Sequence, residues 1–213
     1  MKNSLEEQLA EGRISLSNAM SNTEIMKKLS KLNYDMRELQ RGWGIMNQVE
    51  IFQKAKIEKY SNQFGATQAL YDDIRKTKAS FSKHRKLARI VYEGNKEKIS
   101  VLQLDKRMFA LEKWLFQAGS FYQELLKDSA MIVKYGVSLE ELQQMAAMVQ
   151  ALLDKRNHQV SRKGEAQHAT QKRNEALKAY KAWMKDFRMA ARFALREEPQ
   201  LLEVLGILVP TPR

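Results

Sequence analysis

The chain repeats itself. Residues 63–104 and 166–207 align without a gap when the sequence is shifted by 103 positions. Ala66-Thr67-Gln68 then falls on Ala169-Thr170-Gln171, Lys78-Ala79 on Lys181-Ala182, Ala88-Arg89 on Ala191-Arg192 and Val101-Leu102 on Val204-Leu205. Upstream, Glu38-Leu39-Gln40 falls on Glu141-Leu142-Gln143 at the same shift. This period is longer than those of the common solenoid repeats, so it reads as one internal duplication. The expectation is two similar halves, 1–104 and 105–213, forming a single domain over 1–213.

Composition says what each half is made of. Nine Gly and three Pro interrupt 213 residues, and the long Pro-free stretches are rich in Leu, Ala, Met, Glu, Lys, Gln and Arg. These side chains lose little rotamer freedom in a helix. The expected class is therefore all-α: a helical bundle with about three long helices and one short helix per half. No apolar run approaches the length that a transmembrane helix needs. The opening residues, MKNSLEEQLAEG, lack the apolar centre of a secretory signal. Without cysteine, disulfides, thiolate metal sites and thiol catalysis are excluded, and a reducing cytoplasm is the default setting.

Periodicity and caps place the elements. Ile25, Leu29, Leu32, Met36, Leu39, Trp43 and Met46 form one apolar face, with a turn expected near Asn33. Asp35 to Glu38 and Ser138 to Glu141 both have the form of a capping box, at equivalent places in the two halves. The polar stretches Ser61 to Gly65 and 154–168 read as helix-to-helix turns, with one very long helix as the alternative because neither contains proline. The repeated helix, about 66–93 and 169–196, has its seam at Ile74, Thr77, Phe81, His84, Ala88 and Val91. In the second copy the seam is Leu177, Tyr180, Met184, Phe187, Ala191 and Ala194. A short helix follows each, about 97–103 and 199–205, with Pro199 at its start and Gly206 past its end. Between the copies, Asp105 is positioned to cap a helix that carries Met108, Leu111, Leu115, Ala118, Tyr122 and Leu125. Phe109, Trp114 and Phe116 widen its apolar face.

Little in the chain carries chemistry. Glu165 and His168 have the spacing of a di-iron half-site, but their counterparts are Asn62 and Gly65, so the second pair is missing and no metal is expected. No nucleophile triad, phosphate loop or nucleotide fingerprint is present, so neither a catalytic residue nor a cofactor is assigned. Gly42-Trp43-Gly44 interrupts a helical pattern and signals close helix packing or a kink. The methionines at seam spacing (Met26, Met36, Met46, Met108, Met184) read as core filling.

One surface feature recurs in both copies. Lys178, Lys181, Lys185, Arg188 and Arg192 step by three and four along one face beside the seam; Arg75, Lys78, Arg85 and Arg89 take the matching places in the first copy, with Ser82 opposite Lys185. Either these side chains lie along a neighbouring helix and pair with carboxylates, or they form an anion-binding surface. The formal charge of +12 permits the second without requiring it. The leading expectation is a non-catalytic bundle acting through a protein partner or self-association. The alternatives are sequence-nonspecific binding of nucleic acid or an anionic surface, and, last, a single-site metal protein.

Overall fold

The computed structural model describes residues 4–209, and among them every regular element is a helix. In chain order these are α1 (Leu5–Ser21), α2 (Thr23–Ser30), α3 (Met36–Val91), α4 (Lys96–Val101), α5 (Leu111–Lys127), α6 (Ser129–Val133), α7 (Leu139–Ala194) and α8 (Pro199–Val204). Among the described residues no helix is long and apolar enough to cross a membrane.

The expected turns at 61–65 and 154–168 are absent. Both α3 and α7 run unbroken for 56 residues. Polar residues and one glycine in a helix interior cost on the order of 1 kcal/mol, but only proline removes the hydrogen bond and blocks continuation. Thr67 and Thr170 sit at these places and donate back to the carbonyls of Gln63 (2.8 Å) and Ala166 (2.9 Å), within the helix ladder. The two long helices begin as their caps suggest. Asp35 accepts from the backbone N–H of Glu38 at 2.9 Å, and Ser138 from that of Glu141 at 3.1 Å. The reciprocal half of each capping box is not made, because each glutamate is used elsewhere. Glu38 accepts from Trp183 Nε1 at 2.7 Å, and Glu141 lies 2.9 Å from His84 Nε2.

Two compact units divide the chain. One is continuous in sequence, 60–165; the other is discontinuous, joining 4–59 with 166–209. In the continuous unit, Phe81 on α3 meets Trp114, Phe121 and Tyr122 of α5 edge to face, at centroid distances of 5.2 to 6.2 Å. Leu142, Met145 and Val149 of α7 complete that core. His84 is wholly buried there, with Tyr122 Oη 3.0 Å from Nδ1 and Glu141 on Nε2. Burial raises the pKa of the Tyr122 hydroxyl, and the charge of Glu141 adds to that, so it stays protonated. In the discontinuous unit, Phe187 stacks on Trp183 at 5.3 Å, and Tyr34 meets both rings edge-on. Leu16, Ile25, Leu29 and Met46 close around them. The seam positions are buried or half-buried in both copies, with His84 and Phe187 at matching places.

The helix ends also match. Asn33 and Gly136 both have positive φ (64° and 90°), as do Gln103 and Gly206 (50° and 71°). At the last two, the next N–H reaches back five residues: Leu104 to the Ile99 carbonyl at 2.9 Å, and Ile207 to Leu202 at 3.0 Å. This closure requires a left-handed residue after the helix, which glycine adopts freely and glutamine does not.

Three local expectations fail. Asp105 caps nothing; α5 starts at Leu111 after Ala110, which gives no side-chain cap. Phe109 and Phe116 are 81% and 70% exposed: Phe109 precedes α5, and Phe116 falls off the face that Trp114, Leu115, Ala118 and Tyr122 bury. Met36 is exposed at the first turn of α3, where the seam has not yet met a neighbour.

Two substitutions test this packing. A Cβ on Gly42 would fall 2.3 Å from the Trp183 ring, whereas one on Gly44 meets nothing within 4 Å. Gly42→Ala should lose about 1–3 kcal/mol by overpacking, and Gly44→Ala should gain about 0.5–1 kcal/mol, in urea unfolding. Gln103→Gly should raise stability by about 0.5–1 kcal/mol in the same measurement, since it relieves the left-handed strain without removing the carbonyl that neighbours use.

Candidate anion-binding surface

A helix end leaves its last carbonyls without intrahelical partners. After the two short helices, α4 and α8, different carbonyls are bonded, and by different side chains. In the continuous unit, Arg85 Nη2 donates to the carbonyls of Gln103 (3.1 Å) and Leu104 (3.0 Å), and also to that of Lys106. Arg89 Nε donates to Leu104 at 2.9 Å. Gln117 on α5 adds bonds to Gln103 (3.2 Å) and Lys106 (3.0 Å). Cations at the C-terminal end of a helix are also favoured by its dipole. Arg85 and Arg89 therefore hold the segment after α4, residues 103–106, in place. Their partners are backbone carbonyls, not the carboxylates that the sequence led us to expect. Burial lowers the Arg85 pKa, and the nearby charges of Arg89 and Arg107 act in the same direction against Asp105.

In the discontinuous unit, α1 bonds the end of α8 itself, at carbonyls whose places in the first half are Val101 and Leu102. Ser15 Oγ donates to the Leu205 carbonyl at 2.6 Å, and Asn18 Nδ2 to that of Val204 at 2.6 Å. Arg188 and Arg192, the counterparts of Arg85 and Arg89, make no such bond among the described residues. Arg188 instead lies 3.2 Å from Glu11 Oε2. Arg192, Lys178, Lys181 and Lys185 are exposed and take part in none of the ion pairs among the described residues.

Four of these cations converge. Lys181, Lys185, Arg188 and Arg192 line a groove of about 380 Å³ whose other walls are Gln8, Tyr180, Met184 and Met189. No carboxylate lines it. Tyr180 donates its hydroxyl to the Gln8 carbonyl at 2.8 Å; burial pushes its pKa up to about 12, so the groove gains no negative charge near neutrality. Over 166–194, helix α7 carries seven Lys and Arg against Glu175 and Asp186. Lys178 lies one turn before the groove on the same face, outside its lining.

The remaining stripe residues of the first copy are dispersed. Arg75 is 83% exposed, with Asp72 at 3.8 Å. Lys78 is exposed and lies 5.1 Å from the centroid of Trp114. With Arg85 it lines a second groove, of about 300 Å³, in the continuous unit. Arg107, Phe109 and Gln117 share that groove. Arg107 and Gln117 were not singled out from sequence and Phe109 was read only as part of an apolar face, although a glutamine on the apolar face of α5 is a legible anomaly.

Glu165 and His168 lie on one face of α7; His168 is exposed, and Arg162 is 3.7 Å from Glu165. Among the described residues no three His, Asp or Glu side chains are grouped as metal ligands would be.

The two stripes should separate in mutagenesis. Arg85→Ala strands buried carbonyls and should cost about 1–3 kcal/mol, whereas Arg192→Ala should change stability by no more than about 0.5 kcal/mol. Paired denaturant titrations measure both. No protein-family model, curated protein or solved structure matches the chain.

Proposed function

We propose that this protein is a non-catalytic helical binding protein whose working surface is the cationic groove of the discontinuous unit, and that its partner is a polyanion of the nucleic-acid type. The observation that carries this reading is the convergence of Lys181, Lys185, Arg188 and Arg192 on one groove, where among the described residues neither arginine bonds a backbone carbonyl as Arg85 and Arg89 do. Arg192 and the two lysines face solvent without an ion pair among the described residues, while Arg188 keeps Glu11 at 3.2 Å, and these three open cations match a surface that neutralises phosphates. The groove offers no fork of donors set at base spacing, so backbone contact without sequence preference is the expected mode.

The two halves, 1–104 and 105–213, are read here as products of one duplication that have diverged in use. Support comes from the equal lengths of α3 and α7, the matched left-handed positions and the matched buried seams. One copy keeps its arginines as anchors while the other presents them. A cytoplasmic setting belongs to the same proposal, with the cysteine-free composition as its support.

A protein partner is the second reading, favoured by large apolar side chains left in solvent, such as Phe64 (69% exposed) and Phe116. Salt separates the two. If the groove cations neutralise about four phosphates, log K for duplex DNA should fall by roughly 3.6 per decade of salt. Anisotropy titrations across a salt series measure this. Lys181→Glu with Lys185→Glu should abolish the complex and leave thermal stability unchanged. Salt-independent association that survives the charge reversal would move the reading to the protein partner.

A further inference from the structure

The second groove carries different chemistry. It lies in the continuous unit and is lined by Lys78, Ser82, Arg85, Arg107, Phe109 and Trp114, among others, around a space of about 300 Å³. Its counterpart in the other unit has Met184 and Lys185 where this one has Phe81 and Ser82. We propose that this groove is a binding site for a nucleotide unit, with the base stacked on Phe109 and the phosphate held by Lys78, Arg85 and Arg107.

Phe109 is the first argument. An aromatic ring 81% exposed joins no core cluster and has lost the hydrophobic gain of burial. A planar partner on its free face would recover that gain, and every nucleobase offers such a face. Its surroundings select an anion. The guanidinium carbon of Arg107 is 5.6 Å from the ring centroid, and Lys78 is held 5.1 Å from the Trp114 ring. Acidic side chains are missing from the lining, and Asp105 is the carboxylate whose charge reaches Arg85.

Arg85 is the second argument. Its Nη2 is committed to backbone carbonyls, but its Nε is buried and has no hydrogen-bond partner. That Nε is closed to solvent, so what Arg85 offers an anion is its charge, fixed in the groove wall by the carbonyls that Nη2 bonds. The groove is also held ready. The segment that presents Arg107 and Phe109 is tied at Gln103, Leu104 and Lys106 by Arg85, Arg89 and Gln117, so little ordering is left for binding to offset. A volume of about 300 Å³ stands at the small end of ligand pockets, suited to one nucleotide. The unit could be a free nucleotide or one unpaired position of a strand.

This site shares no residue with the polyanion groove, so the two readings can fail separately. Of the three tryptophans, Trp114 alone lines the groove, and its fluorescence reports occupancy. Adenosine monophosphate, a single-stranded oligothymidylate and inorganic phosphate are titrated into the full chain and into the Lys181→Glu/Lys185→Glu form. Saturable quenching by the mononucleotide assigns a free nucleotide, and quenching by the oligonucleotide alone assigns a strand; both forms of the chain should respond alike. Phe109→Ala should weaken binding by at least about fivefold and Phe109→Tyr should restore it. Lys78→Gln should weaken it without changing the circular dichroism spectrum. No quenching by either nucleic-acid probe, equal affinity for inorganic phosphate, or indifference to Phe109→Ala would overturn the proposal.

Discussion

The bonding of carbonyls at the ends of two short helices is the constraint on which the assignment of this surface depends. Such groups cannot be left dry and unpaired, and the fold bonds a different set of them after each short helix. In the continuous unit arginines of α3 bond the segment after α4, and in the discontinuous unit a serine and an asparagine of α1 bond the end of α8. The side chains used in each place affect the charge left over. Where arginine serves, cations are drawn onto the backbone; where it does not, Arg192 and its lysine neighbours stay exposed, with Arg188 beside Glu11.

The long helices supply the frame for this division. Neither contains a proline, and each keeps an apolar seam long enough to enter both compact units. Most stability in such elements comes from tertiary burial of one face rather than from helix propensity. The aromatic clusters of the two cores differ accordingly. His84 brings a polar network of Tyr122 and Glu141 into one, while Phe187, at the matching place, joins a stacked pair in the other. A buried histidine needs both ring nitrogens satisfied, and here they are.

Much of the helical architecture was legible in the residues, because seam, caps and left-handed turn positions are local signals. Ile74, Phe81, Tyr180 and Phe187 announce their burial by spacing alone. The breaks at 61–65 and 154–168 were misread because a polar, solvated helix and a turn share composition when proline is absent. Phe116 was misread because hydrophobicity was taken over position on the helix, and Phe109 because α5 starts only after it. The fate of the basic stripe was not legible at all. It turns on which carbonyls come within reach of Arg85 and Arg89, and on Glu11, which lies 177 residues from the Arg188 it pairs with. No window of sequence contains that pairing.

The division of the chain also bears on the order of folding. The continuous unit draws on 60–165 alone, so all its partners are present once that stretch has been synthesised. The discontinuous unit must wait, since its N-terminal strand of helices finds Trp183 and Phe187 only after the intervening unit is complete. Contacts of high sequence separation carry a larger loop-closure entropy and form later. A ribosome-bound chain ending shortly after 165 would thus hold one finished core, with Leu16, Ile25, Leu29 and Met46 still without their α7 partners. During that interval the newborn protein depends on chaperones or on speed, and the last helices to emerge seal it.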